Sequence, residues 1–185
     1  MEILGSESEK DLYKNAMQYR KYHSKLVSDI ALKILSLNSQ VIPELQQVEQ
    51  AEDVLYLACL LHDIKKFDEK HNKVGAKWFM ENIDEYLDIG EESKKYIRKL
   101  ISKHKLGAKL KKYKKELLYL ILVIRVSDKL SKLKEKANYS CIKEEQIRDI
   151  ISKVKDKTLA NSTIDLRKEI GCFFDNIEIK IEMIN

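Results

Sequence analysis

The chain contains few of the residues that make turns. Among 185 residues there is one proline and there are five glycines. Architectures rich in β-strands depend on these residues at their turns, so their scarcity favours long helices. Hydrophobic residues make up 44% of the chain, enough for a packed core. The length suits one domain over residues 1–185.

Cysteines and long apolar runs are also scarce. The three cysteines, Cys59, Cys141 and Cys172, are odd in number and are spaced unlike any zinc motif. They therefore predict free thiols in a reducing compartment. Apolar runs stay well short of ~18 residues, so we expect no membrane span. The N-terminus lacks the basic flank and apolar core of a signal peptide, and we expect a cytoplasmic location.

Acidic residues are missing from residues 93–115, which contain eleven lysines and arginines. The formal net charge of the chain is +5, so the remaining residues carry −6. Such a basic window would attract phosphorylated anions, although a solvated helix face followed by a lysine-rich loop would give the same pattern. Tyr96 and Tyr113 interleave the lysines, which leaves nucleic-acid binding open. The pattern fits no nucleic-acid recognition fold, so a small polyanion is the favoured partner.

The spacing of apolar residues predicts an all-α helical bundle without internal repeats. Pro43 suits the first turn of a short helix. The C-terminal residues 177–183 alternate isoleucine or methionine with charge, which allows a strand, although their spacing also fits a helix. Longer helices are expected over about 7–21, 22–37, 51–63, 72–87, 91–105, 109–133, 142–156 and 161–175.

Three of the four histidines of the chain, and one aspartate, each lie at one end of an apolar helical stripe. His23 begins an apolar helical stripe. His62 and His104 each follow apolar residues at spacings of three, four and seven, and Asp128 follows a fourth stripe. An aspartate next to His62, Asp63, and a further histidine, His71, complete the set.

Histidine and carboxylate are ligands that suit zinc, iron and manganese. Two adjacent residues on a helix diverge by ~100°, so His62 and Asp63 reach one cluster only at a helix end that faces a cavity. A buried aspartate costs several kcal/mol unless a cation compensates its charge. The alternative is that each histidine is a core residue hydrogen-bonded to a carbonyl, and that each Asp or His is a cap. The combined pattern favours a metal site.

The stretch Ala58–Lys66, which reads ACLLHDIKK, resembles the core motif of the HD superfamily of metal-dependent phosphohydrolases. The histidine of the first family helix matches His23. The segments 71–76, 101–107 and 124–129 resemble the later histidine elements and the closing aspartate. The resemblance covers about residues 20–133, which would form the metal-binding core of an HD-type bundle, with 134–185 as a C-terminal helical extension.

Two of these elements, His-x-x-x-Gly-Ala at His71 and His-x-x-Gly at His104, most resemble bacterial symmetrical diadenosine-tetraphosphate hydrolases. Three features depart from that group. Lys65 stands where a small residue is usual, only nine residues separate His62 from His71, and the Glu-Pro-x-Arg element after Asp128 is missing.

The resemblance implies a set of residue roles. His23, His62, Asp63 and Asp128 would hold one metal ion, and His71 and His104 a second, with Asp63 bridging both. The resemblance favours iron, while manganese and zinc suit the same ligands. Asp63 and Lys66 would be catalytic, and Lys66 and Lys129 would contact the substrate phosphate. Hydroxide formed at the metals would then attack phosphorus in a nucleotide, such as a dinucleoside polyphosphate.

Two other functions remain open from the sequence. The chain could be a non-catalytic, metal-stabilised module that binds a nucleotide, or a nuclease of the same superfamily. The nuclease hypothesis depends on the basic window alone. The complete set of six ligand residues favours the hydrolase, because a binding module need not keep all of them.

Overall fold

The computed structural model describes residues 7–138 and 140–184. These residues form α-helices and short 3-10 helices and no β-strand, which confirms the predicted all-α class. The α-helices are α1 (Glu7–Asn38), α2 (Ala51–Leu61), α3 (His71–Asn82), α4 (Glu91–Lys103), α5 (Lys115–Lys136), α6 (Glu144–Ala160) and α7 (Ile164–Asn176). The 3-10 helices are Pro43–Gln46, Ile83–Glu85 and Ile181–Met183.

Helix α5 lies at the centre of the bundle. Every residue from Leu118 to Asp128 is buried, and α1, α4, α6 and α7 pack around the helix. A helix that is apolar around its whole circumference has to be enclosed in this way. Helix α2 packs against α1 and α4, and α3 packs against α4. Among the helices described, none is long and apolar enough to cross a membrane.

The start of α5 differs from the sequence-based expectation, since the helix begins at Lys115 and not near Lys109. The reason is a tertiary contact at Leu110, whose side chain is buried. The Leu110 N–H donates to the Asn161 carbonyl, and the Thr163 N–H donates to the Leu110 carbonyl. The segment before α5 is therefore paired with the connection between α6 and α7.

A fully buried arginine, Arg125, fixes the same segment from inside the bundle. Its guanidinium donates to the carbonyls of Lys103, Lys105 and Ala108 and to the Thr158 hydroxyl. Carbonyls at the end of α4 and in the following loop thus gain partners that a helix would otherwise supply. Burial lowers the pKa of Arg125 to about 10.

The C-terminal segment is neither the strand nor the helix that its sequence allowed. It leaves α7 in an extended conformation at Ile177 and ends in the 3-10 helix. The side chain of Asn38, at the end of α1, accepts from the Glu178 N–H and donates to the Glu178 carbonyl. The segment is thus tied to α1 through the backbone of Glu178.

Candidate metal centre

The ends of three helices meet beside the middle of two longer ones. His62 and His104 are the residues that follow α2 and α4, and His71 is the first residue of α3. His23 lies on α1 and Asp128 on α5, both fully or almost fully buried. The apolar stripes seen in the sequence therefore end at one common place.

The same local contact orients His62 and His104. The Nδ1 atom of His62 lies 2.6 Å from the Cys59 carbonyl oxygen, and that of His104 lies 2.8 Å from the Ile101 carbonyl oxygen. Because a carbonyl only accepts, Nδ1 carries the proton in each ring. In a neutral imidazole the Nε2 atom then keeps a free lone pair, which is the form that binds metals.

A carboxylate orients His23 in a corresponding way. The His23 Nδ1 lies 2.7 Å from Glu135 Oε1, and the Tyr19 hydroxyl donates to Glu135 Oε2 at 2.6 Å. Sequence reasoning missed Glu135. Its position seven residues after Asp128 places both side chains on one face of α5, and that spacing was the available signal.

The four Nε2 atoms face the oxygens of two aspartates, so the six predicted ligand residues lie together. The nitrogen–oxygen distances are 3.3 Å for His23 and 3.8 Å for His62 to Asp128 Oδ1, 3.6 Å for His62 to Asp63 Oδ2, and 3.3 Å for His71 and 3.5 Å for His104 to Asp63 Oδ1.

The protonation states suit metal binding. Burial lowers the pKa of His104, and burial together with the charge of Lys66 lowers that of His71 to about 4. Burial alone would raise the pKa of Asp63, yet favourable charge interactions, that with Lys66 included, hold this pKa well below its usual range. Burial would likewise raise the pKa of Asp128, yet favourable charge interactions, those with Lys129 and Lys132 included, hold it well below its usual range. At neutral pH His71 and His104 are thus neutral and both aspartates ionised.

Several polar atoms of this cluster are buried without a hydrogen-bond partner, namely His23 Nε2, His62 Nε2, His71 Nε2 and Asp63 Oδ1. Nitrogen lone pairs that face carboxylate oxygens repel each other unless a cation lies between them. The ligand atoms of His23, His62 and Asp128, and those of His62, Asp63 and His104, lie within 4.8 Å of one another. The donor set therefore fits a divalent metal ion.

The two lysines predicted to contact substrate lie directly against the aspartates. Lys66 Nζ is 2.7 Å from Asp63 Oδ2, and Lys129 Nζ is 2.6 Å from Asp128 Oδ2. Both side chains are partly exposed, so they reach from the buried carboxylates toward solvent.

Two further cations make similar contacts and were missed from the sequence. Lys132 Nζ lies 2.6 Å from Asp128 Oδ1, and Arg20 Nη1 lies 3.5 Å from Asp63 Oδ2. Arg20 precedes His23 by three residues and Lys132 follows Asp128 by four, so each shares a helix face with a predicted ligand. That spacing would have identified both.

Two cavities open beside the cluster, and both are lined by Arg20 and Lys66. The larger, about 590 Å³, is also lined by Lys129, Lys132 and Lys136. The smaller, about 210 Å³, has an apolar wall formed by Leu60, Leu61, Ile64 and Phe67 opposite polar and charged residues. Phe67 is 64% exposed although it is aromatic.

Comparison with curated proteins and with solved structures finds no significant match. The family model described as the HD domain matches residues 20–161, from α1 through α6. The matched range contains every residue of the histidine–aspartate cluster. Because it also spans more than half of the chain, the chain belongs to the HD-domain family, whose members are typically metal-dependent hydrolases.

Proposed function

We propose that the chain is a metal-dependent phosphohydrolase that cleaves a phosphoester or phosphoanhydride bond in a nucleotide, dinucleoside polyphosphates included. The observation that carries this proposal is the buried cluster itself. Histidine nitrogens and carboxylate oxygens face each other there, several of them buried without a hydrogen-bond partner, next to a cavity lined by cations. A metal bound among those atoms would lie within reach of an anionic substrate.

In the proposed ligand arrangement, His23, His62, Asp63 and Asp128 would hold one ion, and His71 and His104 would hold a second. The two oxygens of Asp63 support a bridging role. Oδ1 faces His71 and His104, whereas Oδ2 faces His62. The family resemblance favours two iron ions, and the absence of sulphur ligands is equally compatible with manganese or zinc.

When bound, the metal supplies Lewis acidity that polarises a phosphoryl oxygen and lowers the pKa of water. The chain itself supplies placement and charge. Arg20 and Lys66 hold the ionised Asp63 in position and present their remaining donors to the cavities, where they would bind phosphoryl oxygens. Lys129, which contacts Asp128, would likewise bind phosphoryl oxygens. Burial of the four histidines keeps bulk water from this electrostatic environment.

The two cavities support a nucleotide as the substrate. The larger one has five cationic side chains and one acid, Glu135, which is already bound to His23 and Tyr19. It therefore suits phosphate groups. The smaller one offers an apolar wall and the exposed ring of Phe67, on which a planar base could stack. Since Arg20 and Lys66 line both, a molecule that carries phosphate and a base could occupy the two together.

The nuclease alternative loses part of its support. Tyr96 and Tyr113, which interleave the basic window, are partly buried against the core. The Tyr96 hydroxyl lies 3.4 Å from Glu116, so this ring is held by the protein. We therefore do not expect these two tyrosines to stack with the bases of a nucleic acid.

Chromatographic analysis of the products from a panel of substrates tests the proposal, since it also detects cleavages that release no free phosphate. The panel contains mononucleotides, dinucleoside polyphosphates and single-stranded oligonucleotides, each with iron, manganese or zinc. We expect turnover of a nucleotide that requires metal and that falls at least about 100-fold in Asp63→Ala, because this residue would contact both ions. Equal turnover in Asp63→Ala, or no turnover of any substrate with any metal, would contradict the proposal. Hydrolysis of oligonucleotides alone would establish the nuclease instead.

A further inference from the structure

The cations of the basic window do not all face one way. Lys94 lies 2.6 Å from Asp84, and Lys115 lies 3.1 Å from Glu169, so these two neutralise acids of the bundle. Several others lie in the exposed loop between α4 and α5. The remaining group, on the outer face of α4, borders a groove that the metal centre does not use.

We propose that this groove, between α3 and α4, is a second binding site, which takes a linear chain of phosphate groups. Its volume is about 480 Å³. Helix α3 contributes Lys73 and Lys77, and α4 contributes Arg98, Lys99 and Lys103. None of these five residues belongs to the metal cluster or lines the two cavities beside it.

The positive charge of the groove is not balanced by the protein. Its one acidic lining residue, Glu81, lies 3.5 Å from Lys77. Within the described part of the chain, the other four cations form no ion pair with a carboxylate. The cations of the groove therefore repel one another with little compensation from carboxylates. A bound polyanion would relieve this repulsion.

The arrangement of the cations suits several phosphates in a row. Lys73 and Lys77 are one helical turn apart, as are Lys99 and Lys103, which spaces each pair by roughly 6 Å along its helix. The two helices thus offer two facing rows of donors. A single phosphate would contact one end of such a groove, whereas a chain of three or more could contact both rows.

The lining of the groove argues against a single-stranded nucleic acid. Apart from its charged residues it consists of Ala76, Met80 and Ser102. Sequence-tolerant binding of single strands depends on aromatic rings that stack with successive bases. Because this lining has none, the recognition would be of phosphate groups alone.

Calorimetric titration of the metal-loaded full-length chain with inorganic tripolyphosphate tests the proposal. The variant Lys99→Gln/Lys103→Gln removes two cations of the groove. The control, Lys112→Gln/Lys114→Gln, removes two exposed cations of the same window that do not line it. Tripolyphosphate bound at the metal centre is common to all three proteins and drops out of the comparison.

We expect the groove variant to lose one binding event or to weaken it about tenfold or more, because it lacks two charge-assisted donors. The control should bind like the wild type, and kcat for nucleotide hydrolysis should be unchanged in both variants. Equal binding in groove variant and wild type, or an equal loss in the control, would overturn the proposal. Hydrolysis is measured in a separate assay, so a failure of the proposed catalytic activity is distinguished from a failure of phosphate binding in the groove.

Discussion

Each of three buried histidines is fixed through the ring nitrogen that faces away from the centre. Two of these contacts are to carbonyls three residues earlier, at Cys59 and Ile101. Such contacts are local, and the spacing of three is visible in the sequence. The third, from His23 to Glu135, joins residues 112 positions apart. The sequence predicted six candidate ligand residues, which the fold brings together, but which groups orient them depends on how the helices pack.

Glu135 provides a test at this scale. The variant Glu135→Ala leaves the His23 Nδ1 without this acceptor and removes the carboxylate to which the Tyr19 hydroxyl donates. We expect the metal affinity to fall about 10–100-fold while the helical content is unchanged, as for other groups that orient metal ligands. Metal titration of the metal-free protein measures this. Glu145→Ala, an exposed acid on α6, is the control, and an affinity equal to the wild type in Glu135→Ala would refute the role.

Phe67 tests the proposed base position. Replacing it with alanine removes an exposed ring from the smaller cavity. We expect KM for the nucleotide to rise about tenfold with little change in kcat, since stacking with a base contributes roughly 1–3 kcal/mol. Tyr86→Ala removes another exposed ring and serves as the control. A similar KM in Phe67→Ala and wild type would exclude stacking there.

At the scale of elements, the helices that carry an apolar stripe were predictable and their connections were not. The predicted ranges 51–63 and 91–105 contain α2 and α4 with only their last residues in turns. The predicted start of α5 was wrong because Arg125 and Leu110 hold the preceding loop through contacts with distant segments. Local spacing carries no information about such partners.

Glycine positions give a prediction at this scale. Gly171 lies inside α7, and a methyl group added there would meet no atom within 4 Å. We expect Gly171→Ala to raise the free energy of unfolding by about 0.5–1 kcal/mol, because alanine favours the helix. Gly90 has the same open space but precedes α4, where alanine brings no such gain. Chemical denaturation of both variants checks this, and a stabilised Gly90→Ala with an unchanged Gly171→Ala would contradict it.

For the whole molecule, the buried cluster makes stability depend on pH. In the metal-free protein the pKa of His71 is about 4 in the folded state, against 6.5 for an ordinary histidine. Below pH 6.5 the unfolded chain binds a proton that the folded chain does not, so stability falls progressively from pH 6.5 toward 4. The lowered pKa values of Asp63 and Asp128 continue this loss at lower pH.

Thermal unfolding of the chelator-treated chain between pH 7 and 4 measures this dependence. The melting temperature should decrease as the pH falls through this range. His71→Asn, which does not titrate, should show a smaller decrease. A melting temperature that rises on acidification, or an equal slope in His71→Asn, would mean that His71 is not held neutral by its surroundings.

The metal content of the chain purified without chelator is the most direct test of the histidine–aspartate cluster as a metal centre. Elemental analysis should find about two ions of iron, manganese or zinc per folded chain, as a site of this composition is expected to hold. Asp63→Ala should be depleted while its helical content is retained. A wild-type chain that contains no metal, and that takes up none when iron, manganese and zinc are supplied, would contradict the account.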